Sequence, residues 1–352
     1  MTERRVLLTG ATGIVGREVL ARLRATGDAV VATSRRGDPA TGVVAWDMSV
    51  GPAPVARPVD VVVHAAASTR WTMTDDEARQ ANVVPTERAL GLLAPGGHFV
   101  HVSTAFAEGL TGAGVDGERD DYRNAYEWSK AAAERLLREA AGPHSVVRPP
   151  LVIGRAADGV IARWSGTYSL LTGLTSGLVA AVVGDPDVYV ELAPADAVAD
   201  AIAARAAGGA PAETVVDVLG AGAGALTIGR LIDEACATLN AFRAVRGVVA
   251  LEQPPFVSHD SWHRFFLPFG RDHFSHYQLR AIELLSEFQA YTTTTAPITP
   301  TCLLTGVPDA FRRSVEYWAA RNERTALRVP QAWAGPPATT AAATTGGRNG
   351  DR

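Results

Sequence analysis

Val6-Leu7-Leu8-Thr9-Gly10-Ala11-Thr12-Gly13-Ile14-Val15-Gly16 runs from a short apolar stretch through spaced glycines into the start of an amphipathic pattern. The three glycines have separable roles. Gly10 permits a tight turn, Gly13 lets a pyrophosphate approach the backbone, and Gly16 allows a helix to pack closely on the preceding strand. A helix beginning at Ile14 leaves its first N–H groups unpaired and carries the positive end of its dipole, which suits phosphate. A glycine triplet alone is a weak signal; a strand before it and a helix after it make it specific. Gly10, Thr12, Gly13, Ile14, Val15 and Gly16 are therefore expected to hold a dinucleotide.

Working outward, short β-branched runs recur at Ala29 to Ala32, Val59 to Val63, His98 to Val102 and Ser145 to Val147. Helical patterns lie between them, notably Ile14 to Ala25 and Tyr126 to Ala141. Alternation of this kind predicts βαβ units. The expected fold class is α/β, a Rossmann-type doubly wound parallel sheet with a smaller C-terminal substrate-binding region. The regular alternation loosens after Arg148-Pro149-Pro150. The division expected is a nucleotide-binding domain over 1–150, a substrate-binding region over 151–333 interleaved with it, and a disordered tail over 334–352.

The end of the second strand reads Thr33-Ser34-Arg35-Arg36. A carboxylate there would bind the ribose 2′-hydroxyl of NAD, whereas arginine accommodates the 2′-phosphate of NADP. Ser34 replaces the carboxylate, so NADPH is the expected cofactor, with Ser34, Arg35 and Arg36 at its 2′-phosphate. The plainer alternative is a solvated basic turn.

Tyr126 and Lys130 stand four apart in Asn124-Ala125-Tyr126-Glu127-Trp128-Ser129-Lys130, one turn apart on one helix face. A free phenol has a pKa of about 10. A fixed ammonium beside it is expected to lower that value towards the working range. On the pair alone, an amphipathic helix with a packed tyrosine and a solvated lysine reads equally well.

With both signatures in place, the chain resembles the extended short-chain dehydrogenase/reductase superfamily, and within it the fatty acyl-CoA reductase and thioester-reductase branch, the male-sterility type. The likeness runs to about Arg205 and includes His64-Ala65-Ala66-Ala67-Ser68-Thr69-Arg70-Trp71, Asn82-Val83, His101-Val102-Ser103-Thr104-Ala105, Arg148 to Gly154, Gly173 to Leu178 and Leu192 to Val198. The resemblance implies roles. Thr104 takes the catalytic Ser/Thr position, with Ser103 beside it at the cofactor. Tyr126 is the acid/base. Lys130 holds the nicotinamide ribose. Asp47 and Met48 approach the adenine, and Ala65, Ala66 and Ala67 line the cleft. Pro149, Leu151 and Val152 flank the nicotinamide. Asn82 braces the site, or caps a helix before Val83. Without Tyr126, Ser103 and Thr104 would read as ordinary strand-end residues. Asp196 reads as a helix cap.

The remaining signals bound the function. With 352 residues, 47% hydrophobic and 20% charged, the chain can bury a large core. A net charge of −4 gives no electrostatic case for nucleic acid or an anionic membrane. Cys236 and Cys302 make no metal pattern and suit a reducing compartment. No apolar stretch is long enough to span a bilayer, and no signal-peptide pattern stands at the N-terminus, so a cytoplasmic protein is expected. His259, His263, His273 and His276 lie near Asp260 and Asp272, yet they match no zinc motif; no metal is expected. Trp164, Tyr168, Leu170, Leu171 and Leu174, together with Phe256, Trp262, Phe265, Phe266 and Phe269, are expected to line an apolar substrate pocket or else pack a core. Basic residues able to clamp a diphosphate are few, chiefly Arg264 and Arg271.

The expected function is NADPH-dependent transfer of hydride to the carbonyl of a bulky apolar ketone, aldehyde or acyl thioester in lipid or secondary metabolism. A carrier-protein or CoA thioester would have to be delivered in trans. A nucleotide-sugar epimerase or dehydratase with tightly bound NAD is the alternative enzyme, and a dinucleotide-sensing regulator the non-enzymatic one. A homodimer is compatible with the sequence and not specified by it.

Overall fold

The computed structural model describes residues 3–330, except 111, 113, 165, 180, 267 and 269–293. In chain order it begins β1 (Arg5–Thr9), α1 (Ile14–Ala25), β2 (Ala29–Ser34), β3 (Val44–Ala45) and β4 (Val59–His64). There follow α2 (Asp75–Ala78), a π-helical turn (Arg79–Val83), α3 (Val84–Leu90), β5 (Leu93–Val102), α4 (Ala125–Ala140), β6 (Ser145–Arg148) and β7 (Leu151–Ile153). Beyond these lie α5 (Thr167–Ser176), β8 (Val182–Val183), β9 (Tyr189–Val190), β10 (Leu192–Pro194), α6 (Ala195–Ala207), β11 (Val215–Gly220), β12 (Leu226–Thr227) and α7 (Ile228–Ala244). Last come β13 (Phe256–Val257), β14 (Cys302–Leu303) and α8 (Val307–Arg321).

Eight strands form one sheet in the order β14-β11-β6-β5-β4-β1-β2-β3, and every adjacent pair is parallel. A parallel sheet is covered on both faces, which explains why its strands read as continuous apolar runs. Val6, Leu8, Val61, Val63 and Val100 pack with Val19 and Leu23 of α1 and Val198 and Ile202 of α6. Leu7, Val62 and Phe99 point the other way, onto Ala89 of α3 and Leu137 of α4. This is the expected fold class. Strand order reverses at β1, between β2 and β4. The turn after β1 and the chain after β4 both leave the carboxyl edge there, the place where such sheets open a ligand crevice.

Two strands from beyond residue 151, β11 and β14, complete the sheet. The rest of that region builds a second core. Tyr168, Leu171 and Leu174 of α5 are buried with Leu231, Ile232, Ala235 and Leu239 of α7 and Phe311, Val315 and Trp318 of α8. The pocket expected from Trp164 to Leu174 is corrected at this point. The apolar spacing of α5 faces two helices, and Leu170 packs against the same cluster. Trp164 sits at its margin, with its ring 4.9 Å from Tyr168 and 5.7 Å from Tyr317. Phe256 pairs into β13 beside β8, and Trp262 is buried. The side chains of Phe265 and Phe266 lie outside the described residues, as do Phe269, Arg271, Asp272, His273, His276 and the tail over 334–352. Among the described residues no group of histidine, cysteine or carboxylate side chains is placed to hold a metal, and no helix is long and apolar enough to cross a membrane. Both cysteines are free thiols.

Candidate active site

The glycine turn has the geometry its residues demand. Gly10 has φ +71°, and a Cβ there would lie 2.7 Å from the main chain of Ala65 and Ala66. A Cβ on Gly16 would meet the Gly10 carbonyl at 2.0 Å, so only glycine lets α1 sit this close to β1. Gly13 is different. Its Cβ would touch just the Gly10 oxygen, at 3.1 Å, leaving open space in front of the helix. Gly13 also starts α1 without a side-chain cap, and the first turn carries no acidic residue. Free amides facing open space fit a diphosphate, so these residues accommodate the dinucleotide that the motif implies. Across the cleft, the Thr9 carbonyl accepts from the Ala65 amide (3.3 Å), and its hydroxyl accepts from the Ala66 amide (3.2 Å). Ala65 and Ala66 are half-buried and Ala67 is exposed at the same edge.

At the end of β2, the Ser34 hydroxyl is buried with no hydrogen-bond partner among the described residues. The main chain turns back at this point, the Ser34 carbonyl accepting from Gly37 (3.2 Å) and Trp46 (2.8 Å). Arg35 and Arg36 are exposed. The Asp47 carboxylate accepts from the Ser49 hydroxyl and amide, and these bonds, with smaller help from Arg35 and Arg88, hold it below the usual carboxylate range. Met48 is buried against the α3 side of the sheet, and its carbonyl accepts from Arg88 (2.5 Å). Its side chain is therefore a core group rather than an adenine contact.

Thr104 follows the end of β5 by two residues and Asn124 caps α4, so the strand end and the helix start place Thr104 and Tyr126 together. Thr104 is buried, and its hydroxyl lies close enough to the Tyr126 phenol to favour the phenolate. The Asn124 side chain caps α4 by accepting from the Glu127 amide (3.0 Å), which orients the first turn and Tyr126 in it. Burial pushes the phenol up to about 12, partly offset by Thr104. Lys130 is buried too, and burial pushes it down to about 8, against the pull of Glu134. Both readings of this pair need correction. The lysine is buried rather than solvated, and desolvation of the phenol raises its pKa rather than lowering it.

Behind Lys130, His64 and His101 stack with ring centroids 5.7 Å apart. The Thr9 hydroxyl lies 2.9 Å from His64 Nδ1. The hydroxyl can donate to Nδ1 or accept from it, according to which ring nitrogen of the neutral imidazole carries the proton. Burial and then Lys130 push His64 down to about 3, and the same two causes hold His101 well below its ordinary value.

Asn82 sits in the π turn, a distortion that re-aims a side chain without ending the helix. Its carboxamide oxygen accepts from the Ser68 amide (2.7 Å), while its nitrogen donates to the Ser68 carbonyl (3.1 Å) and the Ser129 hydroxyl (2.8 Å). Ser129 in turn donates to the Tyr126 carbonyl (2.8 Å). The bracing expectation therefore matches this geometry. The capping one does not, because Thr74 caps α2 and the helix runs through Asn82. The Ser103 hydroxyl donates to buried Glu134. Asp196 does not cap α6 either, since Pro194 holds that position; its carboxylate accepts from the Ala156 (3.0 Å) and Ala197 (3.1 Å) amides.

Pro149 is buried, with its carbonyl accepting from Ala105 (2.9 Å), and Leu151 and Val152 are half-buried on β7. A small cavity of about 20 Å³ lies beside the Thr104 turn, lined by Phe106, Leu151, Tyr189, Val190, Glu191, Thr294 and Ile298. Glu191 is its one charged group and escaped the reading of the sequence. Its carboxylate accepts from the Ala221 and Ile298 amides, both at 3.0 Å.

The Rossmann sheet thus brings a glycine cradle and a Thr–Tyr–Lys group to its carboxyl edge. Residues 53–202 match the family described as male sterility protein. The chain is 34% identical over 215 residues to a dTDP-6-deoxy-L-talose 4-dehydrogenase (NAD(P)+) of Kitasatospora kifunensis, covering 56% of this chain and 65% of that protein. It is 33% identical over 173 residues to a 4-hydroxy-2-methyl-3-oxo-4-farnesyl-3,4-dihydroquinoline-1-oxide ketoreductase of Stigmatella aurantiaca, covering 43% of this chain and 51% of that one. The chain thus spans between about half and two thirds of the length of these relatives. Among solved structures, the PhqB reductase domain of Penicillium fellutanum has the same fold, with TM-score 0.63, 19% identity and coverage of 91% and 94%. Part of the chain, residues 53–202, is thus similar to the male-sterility-type family, and its relatives include NAD(P)-dependent dehydrogenases and ketoreductases.

Proposed function

We propose that this chain is an NADPH-dependent reductase that delivers hydride to the carbonyl of a bulky, largely apolar substrate, a ketone, an aldehyde or an acyl thioester. The observation that carries the reading is the neighbouring Thr104–Tyr126 pair with Lys130 one turn further along α4. NADPH, when bound, supplies the hydride. Thr104 and Tyr126 present two hydroxyl donors to a carbonyl oxygen that gains negative charge. Tyr126 is held protonated by burial, so it yields its proton only as that oxygen becomes strongly basic. Lys130, lowered to about 8 and still mostly charged at neutral pH, binds the ribose hydroxyls and stabilises the phenolate left behind. Arg35 and Arg36 at an exposed strand end with no carboxylate support NADPH over NADH. Similarity to a ketoreductase of a farnesylated quinoline oxide supports an apolar carbonyl substrate. A thioester substrate would arrive on CoA or a carrier protein.

A second reading has its own support. Similarity to a dTDP-sugar 4-dehydrogenase favours a keto-sugar nucleotide, reduced by the same three residues. NADPH oxidation followed against apolar ketones and aldehydes, acyl-CoA thioesters and dTDP-4-keto sugars separates the two. Turnover fastest with an apolar carbonyl is expected. Faster turnover of the sugar nucleotides would install the second reading, and no oxidation with any of them would remove both.

A further inference from the structure

Tyr126, Lys130 and Glu134 stand at successive four-residue steps on α4, so the catalytic pair is continued one turn further by a carboxylate. Glu134 is 4% exposed and fully engaged. Arg148, at the end of β6, donates to it through Nη2 (2.8 Å) and Nε (3.0 Å). The Ser103 hydroxyl, one residue before Thr104, donates to it from the end of β5. Arg148 also reaches Glu108 (3.0 Å), at the end of the turn that follows Thr104. One carboxylate thus joins the helix carrying Tyr126 and Lys130 to the strand ends carrying Thr104 and Pro149. A second fact comes from composition. Lys130 is the single lysine in 352 residues, all other basic side chains of the Lys/Arg type being arginine. Guanidinium stays charged at any ordinary pH, whereas an ammonium can be tuned by its surroundings.

We propose that Glu134 is a positioning residue for the catalytic pair: it draws Thr104 towards Tyr126 through Ser103, and it supplies the negative charge facing Lys130. The proposal rests on the reductase reading for its purpose, but its geometry is independent of the substrate. The groups bearing on Lys130 are Glu134 from its own helix, His64 from β4 and His101 from β5, with Arg148 of β6 behind Glu134. Both histidines are neutral and cannot offset the ammonium. Glu134 is the group that raises Lys130 against the burial that lowers it.

The single lysine makes a direct test practicable. Full-length protein grown with lysine labelled at 13Cε has one side-chain lysine resonance, whose titration reads Lys130 without cofactor or substrate. A midpoint near 8 is expected for the unaltered protein. Glu134→Gln is expected to lower it by about one pH unit or more, given an ion four residues away in a poorly solvated site. The pH at which the NADPH dissociation constant begins to rise should fall with it. Ser103→Ala, which keeps the charge and breaks the link to Thr104, is expected to leave the midpoint in place and lower turnover about tenfold, the worth of one hydrogen bond to a charged group. Should Glu134→Gln fail to fold because Arg148 is left as a lone buried charge, the double variant Glu134→Gln/Arg148→Met removes that charge and is read instead. A midpoint unmoved in either Glu134 variant, full recovery of midpoint and turnover in the double variant, or full turnover in Ser103→Ala would overturn the proposal. Failure of the reductase reading would look different: a shifted titration with no carbonyl reduced by the unaltered protein.

Discussion

On the cofactor side of the molecule, hydrogen bonds cross between elements distant in sequence: Asn82 to Ser68 and Ser129, and Ser103 and Arg148 to Glu134. The region beyond β7 is held mainly by side-chain packing of α5, α7 and α8, with Arg243 as its chief polar fastening. The contrast follows from what each part must do. Hydride transfer depends on hydroxyls held in fixed directions, and directional bonds supply that precision. A wall around a substrate needs shape, which packing provides without a specific pattern of residue types.

The largest expected effect lies at the centre of the bonded side. Tyr126→Phe removes one oxygen and keeps the ring, so fold and NADPH affinity should persist. Turnover should fall by about 10²–10⁴, the range of a lost general acid. A fall of only a few-fold would mean that another group delivers the proton and that the bonding around α4 serves stability alone.

An intermediate effect is expected across the contrast. Arg243 is fully buried; its Nε donates to the Val249 carbonyl (2.8 Å) and its Nη1 to the Ala326 (2.6 Å) and Arg328 (2.9 Å) carbonyls. Arg243→Met leaves those acceptors without their donor and should lower stability by about 2–4 kcal/mol, as buried groups lose their partners. NADPH affinity should change little, because the glycine cradle is built from β1, α1 and β4. An equal loss of cofactor affinity, measured by fluorescence titration below the melting range, would show that the two regions fold as one unit.

The same contrast governs what could be read from the residues alone. Motifs announce directional chemistry, so the glycine turn and the candidate roles of Thr104, Tyr126 and Asn82 could be proposed from the residues. The sheet was legible too, because strands buried on both faces read as continuous apolar runs. Packing has no such signature. The apolar spacing of Tyr168, Leu171 and Leu174 suits a pocket wall or a core equally, and only the position of α7 and α8 decides it. Glu134 went unnoticed although it continues the Tyr126–Lys130 spacing. Arg148 was seen only as part of a motif. Their partnership spans β6 and α4, and no local pattern encodes it. The effect of burial on Tyr126 was likewise invisible, since desolvation depends on everything packed around the helix.

The smallest expected effect sharpens the contrast at its margin. Arg35, proposed for the cofactor side, is exposed, and among the described residues no hydrogen bond fixes its direction. A 2′-phosphate would meet a mobile guanidinium in water, where an ion pair is screened by salt and adds little beyond its hydrogen bonds. Arg35→Ala should therefore weaken NADPH binding about tenfold, consistent with one charge-assisted bond, and leave NADH binding unchanged. The loss should shrink as ionic strength rises. Arg36 stands beside it and retains part of the preference, which keeps the single change modest. Equal weakening of both cofactors would place Arg35 against the common part of the dinucleotide. Equal affinity of the unaltered protein for NADPH and NADH would return the basic pair to a solvated turn.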